Sequence, residues 1–235
     1  RGLADNTLVI FTSDNGGAIF GDSASVGYKT NGEFLGTKTD TWEGGHRVPT
    51  IAWWPGKIAP GKTTNKLFSL TDLYDTFLAA ADVPVPPGAA VDSVNMLPLL
   101  LDPDKAPGLD GMFYKGKADA LRIGDWAYHP HQGPGGLFSG GPIVKLGQMH
   151  SDYDENGKLK PDAPKEQLYN LGADPHQTQN LVTSEPEVAS VMKDIMKKYS
   201  EANRKSEVPL QAILADLSPE MAKKLNVTIL PVKTK

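Results

Sequence analysis

The reading of one stretch, residues 6–17, "NTLVIFTSDNGG", decides the fold. Leu8 to Phe11 form a short apolar run, partly β-branched and without polar alternation, the pattern of a strand covered on both faces as in the parallel sheets of α/β proteins. The chain then turns on an acid, an amide and two glycines. As an isolated string, Asp14-Asn15-Gly16-Gly17 reads as a tight turn, because Asn and Gly tolerate positive φ and an Asp side chain bonds its own backbone. At the carboxyl end of an α/β strand it reads a second way. Ligands bind just beyond such ends, and here a carboxylate and an amide oxygen stand there together. That pair suits a hard cation such as Ca²⁺ or Mg²⁺. Few later segments resemble this strand, so the sequence reads as opening in the middle of a fold.

With 235 residues, 39% of them hydrophobic, the chain has the composition of an ordinary globular protein of one large domain or a domain with an appendage. It has no apolar run of about eighteen residues, which excludes a membrane-spanning helix, and "RGLADNTLVI" lacks the order of a signal peptide. Twenty-eight acids against twenty-four Lys and Arg give a net charge of −4, no electrostatic footprint for nucleic acid. The absence of cysteine removes disulfides, thiolate zinc sites and a cysteine nucleophile from this chain.

Residues 21–45 are polar and rich in Gly, Thr and Asn, a long irregular segment of the kind that carries function inside a compact domain. "VPTIAWWPGKI" predicts a strand over 51–54, closed by Pro55 and Gly56. "SLTDLYDTFLAAADVP" predicts a helix capped by Ser69 and Asp72, with Leu70, Leu73, Tyr74, Phe77 and Leu78 on its apolar face, ended by Val83-Pro84. "NMLPLLLDPDKAPG" supports a single helical turn before a linker. The expected division is therefore 1–115, part of an α/β domain, and 116–235, a second unit.

In that unit "ADALRIGDWAYHP", "GPIVKLG" and "EQLYNL" are strand candidates for an antiparallel sheet. "SEPEVASVMKDIMKKYSEAN" predicts a helix with a Ser184/Glu187 capping box and a core face of Val188, Val191, Met192, Ile195, Met196 and Tyr199. "SPEMAKKL" is a short amphipathic helix candidate, followed by a basic tail.

The second chemical signal is "GTKTDTWEGGHRVP", residues 36–49. Lys38 in a Gly/Thr loop reads either as a solvated surface lysine or as a point cation that grips a tetrahedral oxyanion. Glu43, Gly44, Gly45 and Arg47 look architectural, with glycines for close backbone approach and an acid and a base able to pair. His46 reads as structural, and His150 and His176 as loop residues. His129 and His131, two apart, lack a third local ligand for a metal. They read instead as substrate contacts at a pocket mouth.

"LVIFTSDNGG", then "KTDTWEGGHRVP" with the lysine five residues before the glutamate, then "LYNLGADPHQTQNL", resemble the C-terminal part of a type I sulfatase over roughly residues 3–181. The resemblance implies an alkaline-phosphatase-like α/β mixed sheet, present in part, with a C-terminal subdomain of antiparallel strands and a packed helix. It implies that Asp14 and Asn15 are ligands of one Ca²⁺ and that Lys38 contacts the sulfate. "IGDWAYHPHQGPGG" looks like the family's "GDWK" strand and the loop that approaches the substrate. Ala127 stands where the lysine is usual, so no contact transfers there.

The family's nucleophile is a formylglycine made from the Cys or Ser of a C/S-x-P-x-R motif, and no such string occurs in these 235 residues. The resemblance therefore implies an upstream N-terminal portion of the same enzyme as partner, a sulfated small molecule or glycan as substrate, and a periplasmic or extracellular location. This chain alone is expected to be inactive. Two alternatives stand beside that reading: a phosphoester or phosphonate hydrolase of the same superfamily, and a non-catalytic binding module derived from a sulfatase.

Overall fold

Strand β1 (Val9–Thr12) pairs antiparallel with β2 (Thr50–Trp53), Val9 opposite Trp53 and Phe11 opposite Ile51. The computed structural model describes residues 1–19, 25–136, 147–203 and 208–228. Among the described residues this ribbon has two strands, which corrects the expectation of a parallel strand covered on both faces. Val9, Phe11, Ile51 and Trp53 form one open apolar face, with Phe11 64% and Trp53 49% exposed. The unbroken apolar run makes both faces hydrophobic, and the described residues cover only one.

After β2 the predicted capping box forms: Ser69 N donates to Asp72 Oδ2 at 2.8 Å and Ser69 Oγ accepts from Thr71 N at 3.3 Å. A 3₁₀ turn, Leu70–Asp72, leads into helix α2 (Leu73–Ala80), which follows the four-residue helix α1 (Glu43–His46) in chain order. The apolar face predicted for α2 is not its buried one. Tyr74 and Phe77 are exposed, whereas Asp72, Asp75 and Thr76 are buried. The reason is hydrogen bonding: Asp72 Oδ1, Ser93 Oγ and Thr76 Oγ1 tie the helix to residues 93–96 through Val94 N (3.0 Å), Asp75 N (3.0 Å) and Met96 N (3.0 Å). Helix α3 (Leu97–Leu101) is the single turn expected from "NMLPLLL".

A four-stranded antiparallel sheet follows in the order β3 (Gly111–Tyr114), β4 (Ala120–Ile123), β5 (Trp126–His129), β6 (Gln167–Asn170). β3 lies ahead of residue 116, the division expected from the sequence. "GPIVKLG" lies outside the described residues except for its last glycine, as does the basic tail after 228.

One sheet face, with Leu121, Ile123, Trp126, Tyr128 and Leu168, packs on helix α4 (Pro186–Asn203) through Val188, Met192, Ile195, Met196 and Tyr199. Helices α5 (Leu210–Leu214) and α6 (Pro219–Leu225) close the same core. Ser184 does not form the predicted cap; its hydroxyl donates to Leu181 O at 3.2 Å. Ser218 does cap α6, accepting from Met221 N at 3.2 Å.

"GDW" gains a structural meaning at the β4–β5 turn. Gly124 has φ 53°, and a Cβ there would overlap the Leu225 carbonyl oxygen. Asp125 Oδ2 accepts from Asn226 Nδ2 at 2.7 Å, and Trp126 Nε1 donates to Lys224 O at 3.0 Å. Three consecutive residues thus lock the end of α6 to the sheet.

Candidate functional site

The end of β1 is built by glycine-to-glycine packing. Gly16 N donates to Gly45 O at 2.9 Å and Gly44 N to Leu35 O at 2.7 Å. A Cβ on Gly16 would overlap the Gly44 carbonyl, one on Gly44 the Gly36 carbonyl, and one on Gly45 the Asp40 carbonyl. The glycines of "DNGG", "GTK" and "EGG" therefore serve one purpose: three backbone segments in direct contact.

Asn31 joins them, accepting from Gly17 N at 2.6 Å and donating to Gly17 O at 2.9 Å and Gly36 O at 3.2 Å. Lys38 N donates to Gly17 O at 3.1 Å, and Thr37 Oγ1 to the same oxygen at 2.8 Å. The loop bearing Lys38 is thus hydrogen-bonded to the turn bearing Asp14 and Asn15. Asp14 and Lys38 are exposed and Asn15 is half-buried. Asn15 Nδ2 donates to Gly16 O at 3.0 Å, which leaves its carbonyl oxygen as the atom available to a cation.

The loop turns tightly at 37–40. Thr39 has φ 80°, and Asp40 Oδ2 accepts from Thr37 N at 2.9 Å. Asp40 is buried and its Oδ1 has no hydrogen-bond partner; burial pushes its pKa up to about 7.

Behind the loop stands the second face of the four-stranded sheet, Arg122, Ala127, His129, Gln167 and Tyr169. Glu43, 2% exposed, meets Arg47 at 3.1 Å and Arg122 at 3.5 Å. Its backbone N donates to Gln177 Oε1 at 2.7 Å. Trp42 Nε1 donates to Gln167 Oε1 at 3.0 Å. His46 donates from Nε2 to Thr41 O at 2.9 Å and stacks on Tyr114 with ring centroids 4.0 Å apart. Burial lowers its pKa, in keeping with a neutral structural ring.

His129 is 1% exposed and sits behind the loop, not at a pocket mouth. Its Nδ1 lies 2.8 Å from Thr41 Oγ1, and desolvation holds its pKa well below the usual imidazole range. His131 is half-buried, its Nε2 3.4 Å from the same hydroxyl. The two rings do converge, but on Thr41. His150 is likewise buried rather than a surface loop residue. It accepts at Nδ1 from Asp152 N (3.0 Å), donates at Nε2 to Tyr169 Oη (2.6 Å), and burial pushes its pKa down to about 4.

A cavity of about 450 Å³ borders this region, lined in part by Asp14, Glu43, His46, Arg47, Tyr114 and Arg122. Lys38, His129 and His131 do not line it. Among the described residues no three His, Cys, Asp or Glu side chains cluster as a complete metal site. Asp14 and Asn15 carry a carboxylate and an amide carbonyl, two oxygen donors of the type a hard cation takes.

The sulfatase family model matches residues 1–83, which contain β1, the glycine contacts and Lys38. Over those residues the chain is similar to the sulfatase family. Human N-acetylgalactosamine-6-sulfatase is 46% identical over 99 residues, 42% of this chain and 19% of that protein. Human arylsulfatase A is 34% identical over 204 residues, 83% of this chain and 38% of that protein. A solved Bacteroides thetaiotaomicron structure, described under the metabolism of multiple glycosaminoglycans, superposes with TM-score 0.65 at 29% identity, covering 84% of this chain and 39% of that one. The Pseudoalteromonas PsFucS1 sulfatase superposes with TM-score 0.59 at 25% identity, covering 87% and 38%. The chain spans about a fifth to two-fifths of the length of these sulfatases. The alkaline-phosphatase-like fold expected from the motifs is borne out by these neighbours.

Sequence reasoning missed Asn31, Thr37, Thr41, Gln167 and Gln177. Each is a neutral polar residue whose partner is 20 or more residues away, except Asn31, which also reaches Gly17 across 14. Such long-range hydrogen bonds leave no local pattern.

Proposed function

We propose that this chain is the C-terminal portion of a sulfuric ester hydrolase, comprising an α/β part and, from the four-stranded sheet onward, a separate subdomain. In this reading Asp14 and Asn15 hold one Ca²⁺, with Mg²⁺ the alternative, through a carboxylate and an amide oxygen. When bound, the cation supplies positive charge toward the sulfate oxygens. The observation that carries the reading is the pair of bonds from Lys38 N and Thr37 Oγ1 to Gly17 O, which fixes the Lys38 loop against the cation-binding turn.

Lys38 then contributes a solvent-reachable ammonium with three donors for an anionic oxygen, strongest where charge grows in the transition state. The nucleophile is assigned to residues outside this chain, which has neither cysteine nor a Ser-x-Pro-x-Arg string. The similarity to N-acetylgalactosamine-6-sulfatase and to a structure from glycosaminoglycan metabolism supports a sulfated glycan as substrate.

The test compares the natural polypeptide containing this sequence with the 235-residue chain alone. The longer protein is expected to hydrolyse an aryl sulfate faster than the matching phosphate, and the chain alone to hydrolyse neither. Elemental analysis should find one calcium per wild-type molecule and none after the double change Asp14→Ala, Asn15→Ala. Phosphate preference, or calcium retained in the double variant, would contradict the proposal.

A further inference from the structure

We infer that Thr41 is a positioning residue for Lys38, held in place by His129 through a hydrogen-bond chain of fixed direction from the four-stranded sheet. This rests on the reading of Lys38 as the sulfate-contacting cation.

Among the described residues the Lys38 ammonium has no hydrogen-bond partner, so its location is set by its backbone. That backbone is anchored in front by Gly17 and behind by Thr41, three residues on. Thr41 N donates to Pro134 O at 2.8 Å. Between the two anchors lies the left-handed Thr39, a conformation that persists only where its surroundings over-determine it. Asp40 closes the same turn onto Thr37 N.

The direction of the chain follows from the donors. Glu43 N donates to Gln177 Oε1, so the Gln177 NH₂ faces His129 Nε2, 3.5 Å away. That nitrogen must therefore be the bare acceptor, and the proton of the neutral ring sits on Nδ1. Nδ1–H donates to Thr41 Oγ1 at 2.8 Å. The Thr41 hydroxyl passes its own proton on to Pro134 O at 3.1 Å, with the His131 Nε2 lone pair 3.4 Å away as a second acceptor. His131 Nδ1 lies 3.3 Å from Gln132 O, and with the proton on that nitrogen Nε2 accepts. Each step from Gln177 through His129 and Thr41 to Pro134 thus pairs a donor with an acceptor in one direction. A side chain held this firmly, in a loop whose tip carries an otherwise unsupported cation, fixes where that cation can reach.

The experiment is a double-mutant cycle in the natural full-length protein, with aryl sulfate as substrate and thermal unfolding measured alongside. Thr41→Val keeps the volume and removes the hydroxyl. It should lower kcat about 10- to 100-fold with KM changed less than about threefold, and Thr41→Ser should recover most of the loss. In a Lys38→Ala background, Thr41→Val should cause no further loss, because Thr41 acts through Lys38. If Thr41→Val does not accumulate as folded protein, Thr41→Ala replaces it in the same cycle. Losses that multiply across the two sites, or an unchanged kcat in the Thr41 variant, would overturn the positioning role while leaving the Lys38 reading intact. Wild-type activity in Lys38→Ala alone would overturn both.

Discussion

Individual residues at the end of β1 are constrained by contact more than by charge. Gly16→Ala would drive a methyl group into the Gly44 carbonyl, where backbone on both sides prevents adjustment. The variant should lose about 3 kcal/mol in chemical denaturation and bind calcium less well than wild type. Asp40 offers a pH signature. Its folded pKa of about 7 lies above the ordinary value of 3.8, so the native state holds the extra proton. Stability contributed at this site therefore falls as pH rises from about 4 to about 7. Asp40→Asn should flatten that part of the melting-temperature profile; an unchanged slope would mean that the carboxyl titrates normally. Asp14, Asn15 and Lys38 stand out in the sequence only through the motifs they share with sulfatases, since by residue type alone they read equally as a turn and a solvated lysine. Asp40 and Thr41 do not, since burial behind a loop is a tertiary property that "TKTDT" does not encode.

At the scale of elements, helices declared themselves best where an apolar face repeated over several turns. α4 buries Val188, Met192, Ile195, Met196 and Tyr199 as its periodicity requires. Met192→Ala should destabilise the protein by about 2–5 kcal/mol, read by thermal or urea unfolding; a loss well under 1 kcal/mol would show that the helix does not carry this core. α2 misled because its apolar residues are regular while its anchoring is polar, through Asp72 and Thr76 to the backbone at 94 and 96. β3 escaped notice because four residues between Asp110 and Lys115 give too short a pattern, and only pairing with β4 makes it a strand. The β4–β5 turn explains "GDW" without any substrate contact. Gly124→Ala should therefore loosen α6, seen as faster amide exchange in Pro219–Leu225, with no change at the β1 end.

For the whole molecule, the open face of Val9, Phe11, Ile51 and Trp53 is a departure from a finished globular surface among the described residues. It lies on the ribbon that ends in the proposed cation site, while the opposite side of that site rests on the four-stranded sheet. In the chain alone, acrylamide should quench Trp53 fluorescence readily. In the longer natural polypeptide Trp53 should be shielded, and equal quenching in both would mean that nothing packs on this face. The fold was readable from sequence where three motifs recur in one order, and unreadable where an apolar run such as Leu8–Phe11 gives no sign of which of its faces the chain covers.

The central claim, that the β1 turn and the Lys38 loop form one half of a sulfate-ester site, is tested most directly by kcat/KM for an aryl sulfate in the full-length protein with Lys38→Ala. A fall of about 100- to 1,000-fold with an unchanged melting temperature is the predicted result. Retention of wild-type kcat/KM would contradict the claim and return Lys38 to the solvated surface.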